Sequence, residues 1–218
     1  KSDIRQKVTI TIAIVSLLLG NILFNLCNYL TPYLASLIPS VTAFFSQREY
    51  LGVFSSQITV GTVFAVISWW FDKQLWRIPW INKFLGVPDL NGSWEGVLES
   101  PFKENGVNKK VDMKLEIEQS WNRIKCTSIF PASKSYSDLV CLDSEGSQGT
   151  MLRFTYTNHS EDLASGLTQF AGYNELRLND ANTLTGTYFT KRVPSTRGTI
   201  LLVRRNAKDD INDPVKIK

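Results

Sequence analysis

From Val8 to Gln47 the chain holds no charged residue. Its first part, VTITIAIVSLLLGNILFNLCNYL (Val8–Leu30), is 23 residues long, and about 20 residues of helix cross a bilayer core. No ordinary soluble core needs an uncharged run of that length, so this stretch limits the possible folds more than any other feature. A cleaved leader has a shorter apolar region and a small-residue cleavage site, so a retained first span is expected. A second uncharged run, YLGVFSSQITVGTVFAVISWWF (Tyr50–Phe71), is expected to be the return span. It leaves through WWFDKQLWRIPW, which sets Trp69, Trp70, Trp76 and Trp80 beside Lys73 and Arg77. Tryptophan with basic residues is the usual anchor at a membrane–water interface.

Lys and Arg in the short flanks set orientation. Lys1, Arg5 and Lys7 precede the first span, and Lys73, Arg77 and Lys83 follow the second, whereas residues 31–49 carry only Arg48, next to Glu49. Both termini, and everything after the second span, are therefore expected on the cytoplasmic side. Residues 1–89 hold 7 Lys+Arg against 4 Asp+Glu, and residues 90–218 hold 17 against 16. The +4 net charge thus comes mainly from the span flanks. A near-neutral back half argues against a nucleic-acid polymer as partner. Three cysteines without paired spacing, Cys27, Cys126 and Cys141, fit a reducing compartment. With His159 as the one histidine and expected in a loop, no metal cluster or cofactor site is foreseen.

Asn21, Asn25 and Asn28 share one face of the first span, by their spacing of four and three. Ser55, Thr59 and Thr62 recur similarly in the second, beside Gln57 and Gly61. Polar side chains in lipid usually face protein. Two readings stay open: these faces hold the two helices of one chain together, or they join helices of different chains.

After LGVPDL the pattern changes to period two. The alternation predicts strands near 90–100, 109–119, 122–130, 133–142, 149–158, 168–179, 183–192 and 197–205, joined by short turn-rich links such as KENG, FPAS and NDAN. Eight strands with no helix between them predict an all-β domain behind the membrane hairpin: an antiparallel up-and-down, lipocalin-like β-barrel. The expected division is a transmembrane hairpin over residues 1–85, with spans near 8–30 and 50–71, and a cytoplasmic barrel over residues 86–218. Inward positions are Leu90, Trp94 and Leu98, then Met113, Leu115 and Ile117, then Leu152, Phe154 and Tyr156, and finally Ile200 and Leu202.

LTGTYFTKR (Leu184–Arg192) departs from a simple core strand. Its inward set starts at Leu184 and ends in Tyr188, Thr190 and Arg192. In a meander the ends of odd strands and the starts of even strands share a rim. That rim is expected to gather Tyr156, Asn158, Tyr188, Thr190, Arg192, Ser133, Ser135, Ser137 and Arg197, with Ser100, Ser128 and Thr168 nearby. Arginine grips phosphate bidentately and tyrosine faces stack on bases, so the lining suits an anionic ligand that contains rings. The opposite rim collects Trp94, Trp121, Leu184, Leu202, Arg204 and Arg205 and is expected to be plugged, with one of the two arginines lying over Trp94. The sequence shows no nucleophile–base pair and no Gly-rich phosphate loop, so no catalytic residues are expected and the chain reads as a non-enzyme. A lipocalin-like carrier or sensor of an apolar ligand is the competing reading. A third is a structural membrane protein whose barrel docks another protein.

PDLNGSWEGVLES, IEQSWNRI, the spaced serines of PASKSYSD, LRFTYTN and LTGTYFTKRVPSTRGTILLVRR, in this order behind two spans, resemble the two-transmembrane, β-strand-rich effectors of CBASS anti-phage defence. The first-strand Gly-x-Trp also resembles lipocalins. The CBASS resemblance covers nearly the whole chain, although KRVPSTRG before the last strand is longer than the family's turn. It implies a receptor in the bacterial inner membrane. A nucleotidyltransferase encoded alongside makes a cyclic dinucleotide, and the barrel binds it at positions that include Tyr188, Thr190, Arg192 and the serine run. Copies then assemble as a homo-oligomer, and the bilayer is disrupted in an abortive infection.

Overall fold

The structure, a computed structural model, describes residues 2–35, 49–104, 106–144, 146, 148–160, 169–192 and 194–205. It divides into two compact units, Lys1–Leu85 and Gly86–Lys218.

In the first unit, α1 (Ser2–Ala35) and α2 (Glu49–Lys73) are long helices that pack on each other. Ile4–Leu30 is long and apolar enough to cross a membrane, by length and composition. The seam with α2 uses small residues on α1. Ser16 is buried and returns its hydroxyl to Ile12 O at 2.7 Å. A Cβ on Gly20 would lie 2.6 Å from Val60 Cγ2, so the helices approach closely there. Asn21, Asn25 and Asn28 are all exposed; on α2, Thr59 is half-buried and Thr62 and Gly61 are exposed. The side chains of Ser55 and Gln57, and the link 36–48, lie outside the described residues. A 3-10 turn (Leu75–Arg77) and a short helix α3 (Pro79–Leu85) follow. Of the four tryptophans expected to be exposed anchors, Trp69, Trp70 and Trp80 are exposed. Trp76 departs from that expectation. It is fully buried, its indole N–H donates to Asp72 O at 3.1 Å, and the Arg77 guanidinium lies 5.5 Å from its ring.

The second unit is a closed barrel of eight antiparallel strands in sequence order: β1 (Gly92–Glu104), β2 (Val107–Gln119), β3 (Ile124–Phe130), β4 (Ser133–Asp143), β5 (Met151–Ser160), β6 (Gln169–Asp180), β7 (Thr183–Lys191) and β8 (Thr196–Arg204). β8 pairs with β1, from Trp94 opposite Arg204 to Glu99 opposite Thr199, which closes the ring. Alternation decides the core. On β2, Met113, Leu115 and Ile117 are buried while Asp112, Glu116 and Glu118 are not. Leu152, Phe154, Leu176, Leu184, Ile200 and Leu202 complete the interior from the other walls.

β5 runs through Ser160, so His159 is an exposed strand residue, facing the Tyr136 ring at 5.9 Å, and not a loop residue. β4 carries an irregularity between Ser137 and Leu139. The extra residue reverses the alternation: Val140 and Leu142 pack on the core, while Leu139 is exposed. Cys126 is buried, Cys27 and Cys141 are exposed, and none of the three is in a disulfide. Burial pushes the Cys126 thiol up to about 12.

Candidate functional site

The two ends of the barrel are built differently. At the lower end the lead-in to β1 inserts Leu90 into the core. The Leu90 N–H donates to Gln119 Oε1 at 2.8 Å, and Gln119 Nε2 donates to Pro88 O at 3.1 Å. Asn91 and Gln119 exchange two more bonds, of 2.7 and 2.8 Å. Trp94 is fully buried and donates its indole N–H to Leu90 O at 3.0 Å. The Arg204 guanidinium lies 5.0 Å from the Trp94 ring and donates to Asp89 O and Asn91 O, both at 2.7 Å. Arg204 is therefore the lid expected of one of the two arginines. Arg205 instead reaches Glu95 at 2.7 Å.

At the upper end a cavity of about 550 Å³ opens. Among the expected site residues, Ser133, Ser135, Tyr156, Asn158, Tyr188, Thr190 and Arg192 line it. Ser100, Lys109 and Thr196 join them, and the apolar part of the wall comes from Leu98, Val111, Phe130 and Phe170. Thr168 lies outside the described residues.

Two expected residues are elsewhere. Ser137 accepts the Cys126 N–H at 3.0 Å and is taken up by the β4 irregularity. Arg197 is exposed on the outer face, in register with Phe189. Parity explains this: with Ile200 and Leu202 buried, the inward residues of β8 are Thr196 and Gly198, and Arg197 must point away. Lys109 was missed, although the inward phase of β2, Met113 and Leu115, extends back to it. Ser128 is buried beneath the mouth and does not line the cavity.

The mouth is polar but largely self-satisfied. Asn158 Nδ2 donates to Ser133 Oγ at 3.1 Å and to Ser135 Oγ at 2.8 Å. The Thr190 and Thr196 hydroxyls meet at 2.7 Å, and the Thr196 N–H donates to Thr190 Oγ1 at 3.0 Å. The Arg192 guanidinium lies 5.4 Å from the Phe170 ring, so an aromatic shelf holds the cation at the rim.

Both tyrosines stand beside a glycine on the next strand. Tyr156 is in register with Gly172, and its ring occupies the space a Cβ there would take. Tyr188 is in register with Gly198, whose Cβ would lie 2.7 Å from Tyr188 Cε1. Burial first, and then the neighbouring Tyr188, push the Tyr156 hydroxyl up to about 12, with Arg192 acting in the opposite direction. It is therefore a neutral donor and acceptor across the physiological range.

Such a chamber presents stacking faces, hydroxyls, an amide and two cations, Lys109 and Arg192, to one ligand. Residues 85–204 match a family model described as the Cap15 cyclic dinucleotide receptor domain. The chain belongs to the Cap15 receptor-domain family. The resemblance to the CBASS effectors thus holds. The matched span takes in the plugged end, all eight strands and the mouth. The chain is also similar to two curated proteins, each named CD-NTase-associated protein 15. The one from Yersinia aleksiciae is 29% identical over 150 residues, which cover 68% of this chain and 71% of that protein. The one from Escherichia albertii is 27% identical over 168 residues, covering 73% of this chain and 84% of that protein.

Proposed function

We propose that this chain is a membrane-tethered CBASS receptor whose barrel mouth holds a cyclic dinucleotide. The observation that carries the reading is the meeting of Tyr156, Tyr188, Lys109 and Arg192 around one cavity at the open end of the barrel. Its volume falls in the range of small-ligand sites, about 300–1,000 Å³. Arg192 and Lys109 stand on well-separated walls, β2 and the end of β7, which suits a ligand with two phosphates. Tyr156 and Tyr188 offer stacking faces, while Asn158, Ser133, Ser135 and Thr190 offer hydrogen bonds to sugar or base edges. Arg197 and Ser137 are not among these contacts. The role is that of a receptor rather than an enzyme, supplied by a nucleotidyltransferase that synthesises the ligand.

The finer steps belong to the same proposal. α1 and α2 cross the bacterial inner membrane as a hairpin, with both termini and the barrel on the cytoplasmic side. Ligand binding favours a state in which copies associate, which requires tighter binding to that state. The exposed Asn21, Asn25 and Asn28 provide the contact between copies, because the packing within one chain uses Ser16 and Gly20. Loss of bilayer integrity follows.

The test is calorimetric titration of the full chain in detergent with cyclic dinucleotides of different bases, with Arg192→Ala alongside. Saturable binding of one compound by the native chain, weakened roughly thirtyfold in the variant, is expected. The apolar wall of Leu98, Val111, Phe130 and Phe170 favours a second reading, a carrier of an apolar ligand. Uptake of a hydrophobic dye with no response to any cyclic dinucleotide would turn the assignment to that carrier.

A further inference from the structure

Below the mouth the interior contains two buried polar atoms of interest. Asn174 Oδ1 and Ser128 Oγ are buried and have no hydrogen-bond partner among the described residues. Asn174 is 3% exposed and Ser128 2%. Ser128 stands on β3 between Leu115 and Ser135, and Asn174 on β6 between Phe154 and Tyr188. Neither had to be polar for the fold: the next inward residue of β6, Leu176, is fully buried and apolar. A buried acceptor left unpaired is destabilising, and such residues concentrate where function requires them.

The way to Asn174 runs over glycine. The inward residue of β6 above it is Gly172, which has no side chain, and above that Phe170 already lines the cavity. The Tyr156 ring and the Phe189 carbonyl lie against Gly172. Rotation of the Tyr156 ring away from β6 would open the space over Gly172 toward the Asn174 amide.

We infer that Asn174 is the base-reading residue of this site, its carboxamide meeting the edge of whichever nucleobase enters deepest. This rests on the cyclic dinucleotide reading of the mouth. A carboxamide presents a donor and an acceptor side by side, so it matches the acceptor-next-to-donor edge that each of the four bases offers, guanine included through O6 and N1–H. A carboxylate presents acceptors alone and suits the paired N–H groups of guanine.

The experiment titrates the full chain in detergent with cyclic di-adenylate, cyclic di-uridylate, cyclic di-guanylate and the mixed adenylate–uridylate and adenylate–guanylate compounds. It compares the native chain with Asn174→Leu and Asn174→Asp. Asn174→Leu should melt no lower than the native chain, because it removes a buried Oδ1 acceptor with no partner among the described residues, and should bind the preferred compound at least tenfold more weakly. Asn174→Asp should raise the affinity for guanine-containing compounds, relative to guanine-free ones, at least tenfold. Native affinity in Asn174→Leu, or a markedly lower melting temperature, overturns the assignment, because the amide is then idle or structural. An unchanged base ratio in Asn174→Asp overturns the edge contact even where affinity falls. If the native chain binds none of the compounds, the reading of the mouth fails first. Binding by the native chain with indifference at Asn174 sinks this inference alone.

Discussion

The two ends of the barrel are made from the same eight strands and have opposite polar economies. At the lower end most polar groups close the structure, although Ser93 Oγ there has no partner among the described residues. Gln119 and Asn91 bond each other and the lead-in, Trp94 is held by Leu90 O, and Arg204 spans the ring and two carbonyls. At the upper end polar groups bond across the rim, as in Asn158–Ser135 and Thr190–Thr196, and two interior atoms below them have no partner among the described residues. The difference teaches where stability and binding reside. The plug is where a substitution should alter folding, and the mouth is where it should alter affinity.

The largest expected effect is at the plug. Trp94→Ala removes a fully buried indole, and large-to-small changes of this kind cost about 3–5 kcal/mol. The urea midpoint of the purified chain should fall steeply, while the fraction that stays folded binds ligand with native affinity. Lost affinity in folded protein would mean that the two ends are coupled and the comparison is too simple. Next comes Arg192→Ala, which should weaken cyclic dinucleotide binding roughly thirtyfold, about 2 kcal/mol of charge-assisted contact, with the urea midpoint unchanged. Lys109→Ala should act in the same direction and less strongly, and Arg197→Ala should have no effect on the same titration. An equal loss for Arg197 would move the site to the outer face.

A smaller effect tests the lid. Arg204→Met keeps an apolar stem over Trp94 but loses two bonds to carbonyls. It should cost about 1–2 kcal/mol in urea unfolding and leave affinity alone. A last test is alkaline. The folded barrel holds the Cys126 proton up to about 12 from an ordinary 9.0 and the Tyr156 proton up to about 12 from 10.0. The native state therefore binds these protons more tightly than the unfolded chain. Their contribution is fully present below pH 9 and is lost as pH rises from 9 to 12. Urea midpoints across that range should decline, and Cys126→Val with Tyr156→Phe should flatten the decline.

Much of this was readable in advance, because a barrel wall repeats every two residues. The inward phase of Leu184, Tyr188, Thr190 and Arg192 carried through to the cavity, as did Phe154, Tyr156 and Asn158 on β5. Where the reading slipped, period two was broken or not followed to the strand end. The β4 irregularity inserts a residue after Ser137, and no local composition marks it. Lys109 and Arg197 follow from the parity of Met113 and Ile200, but charge drew attention to the wrong one. The glycines under Tyr156 and Tyr188 carry a signal visible only once register pairs Gly172 and Gly198 with aromatic rings. Trp76 shows the limit of composition: four tryptophans near a span look alike, and one of them is buried.

Closure of the ring by β1 against β8 also orders events in time. A ribosome emits the helices first and β8 after every other strand. Until β8 emerges, Trp94 has no Arg204 above it and the mouth lacks Thr196. A nascent chain thus cannot sense its ligand before the helical unit has left the ribosome. The chain's own direction of synthesis makes the ligand chamber the last part of the barrel to be completed.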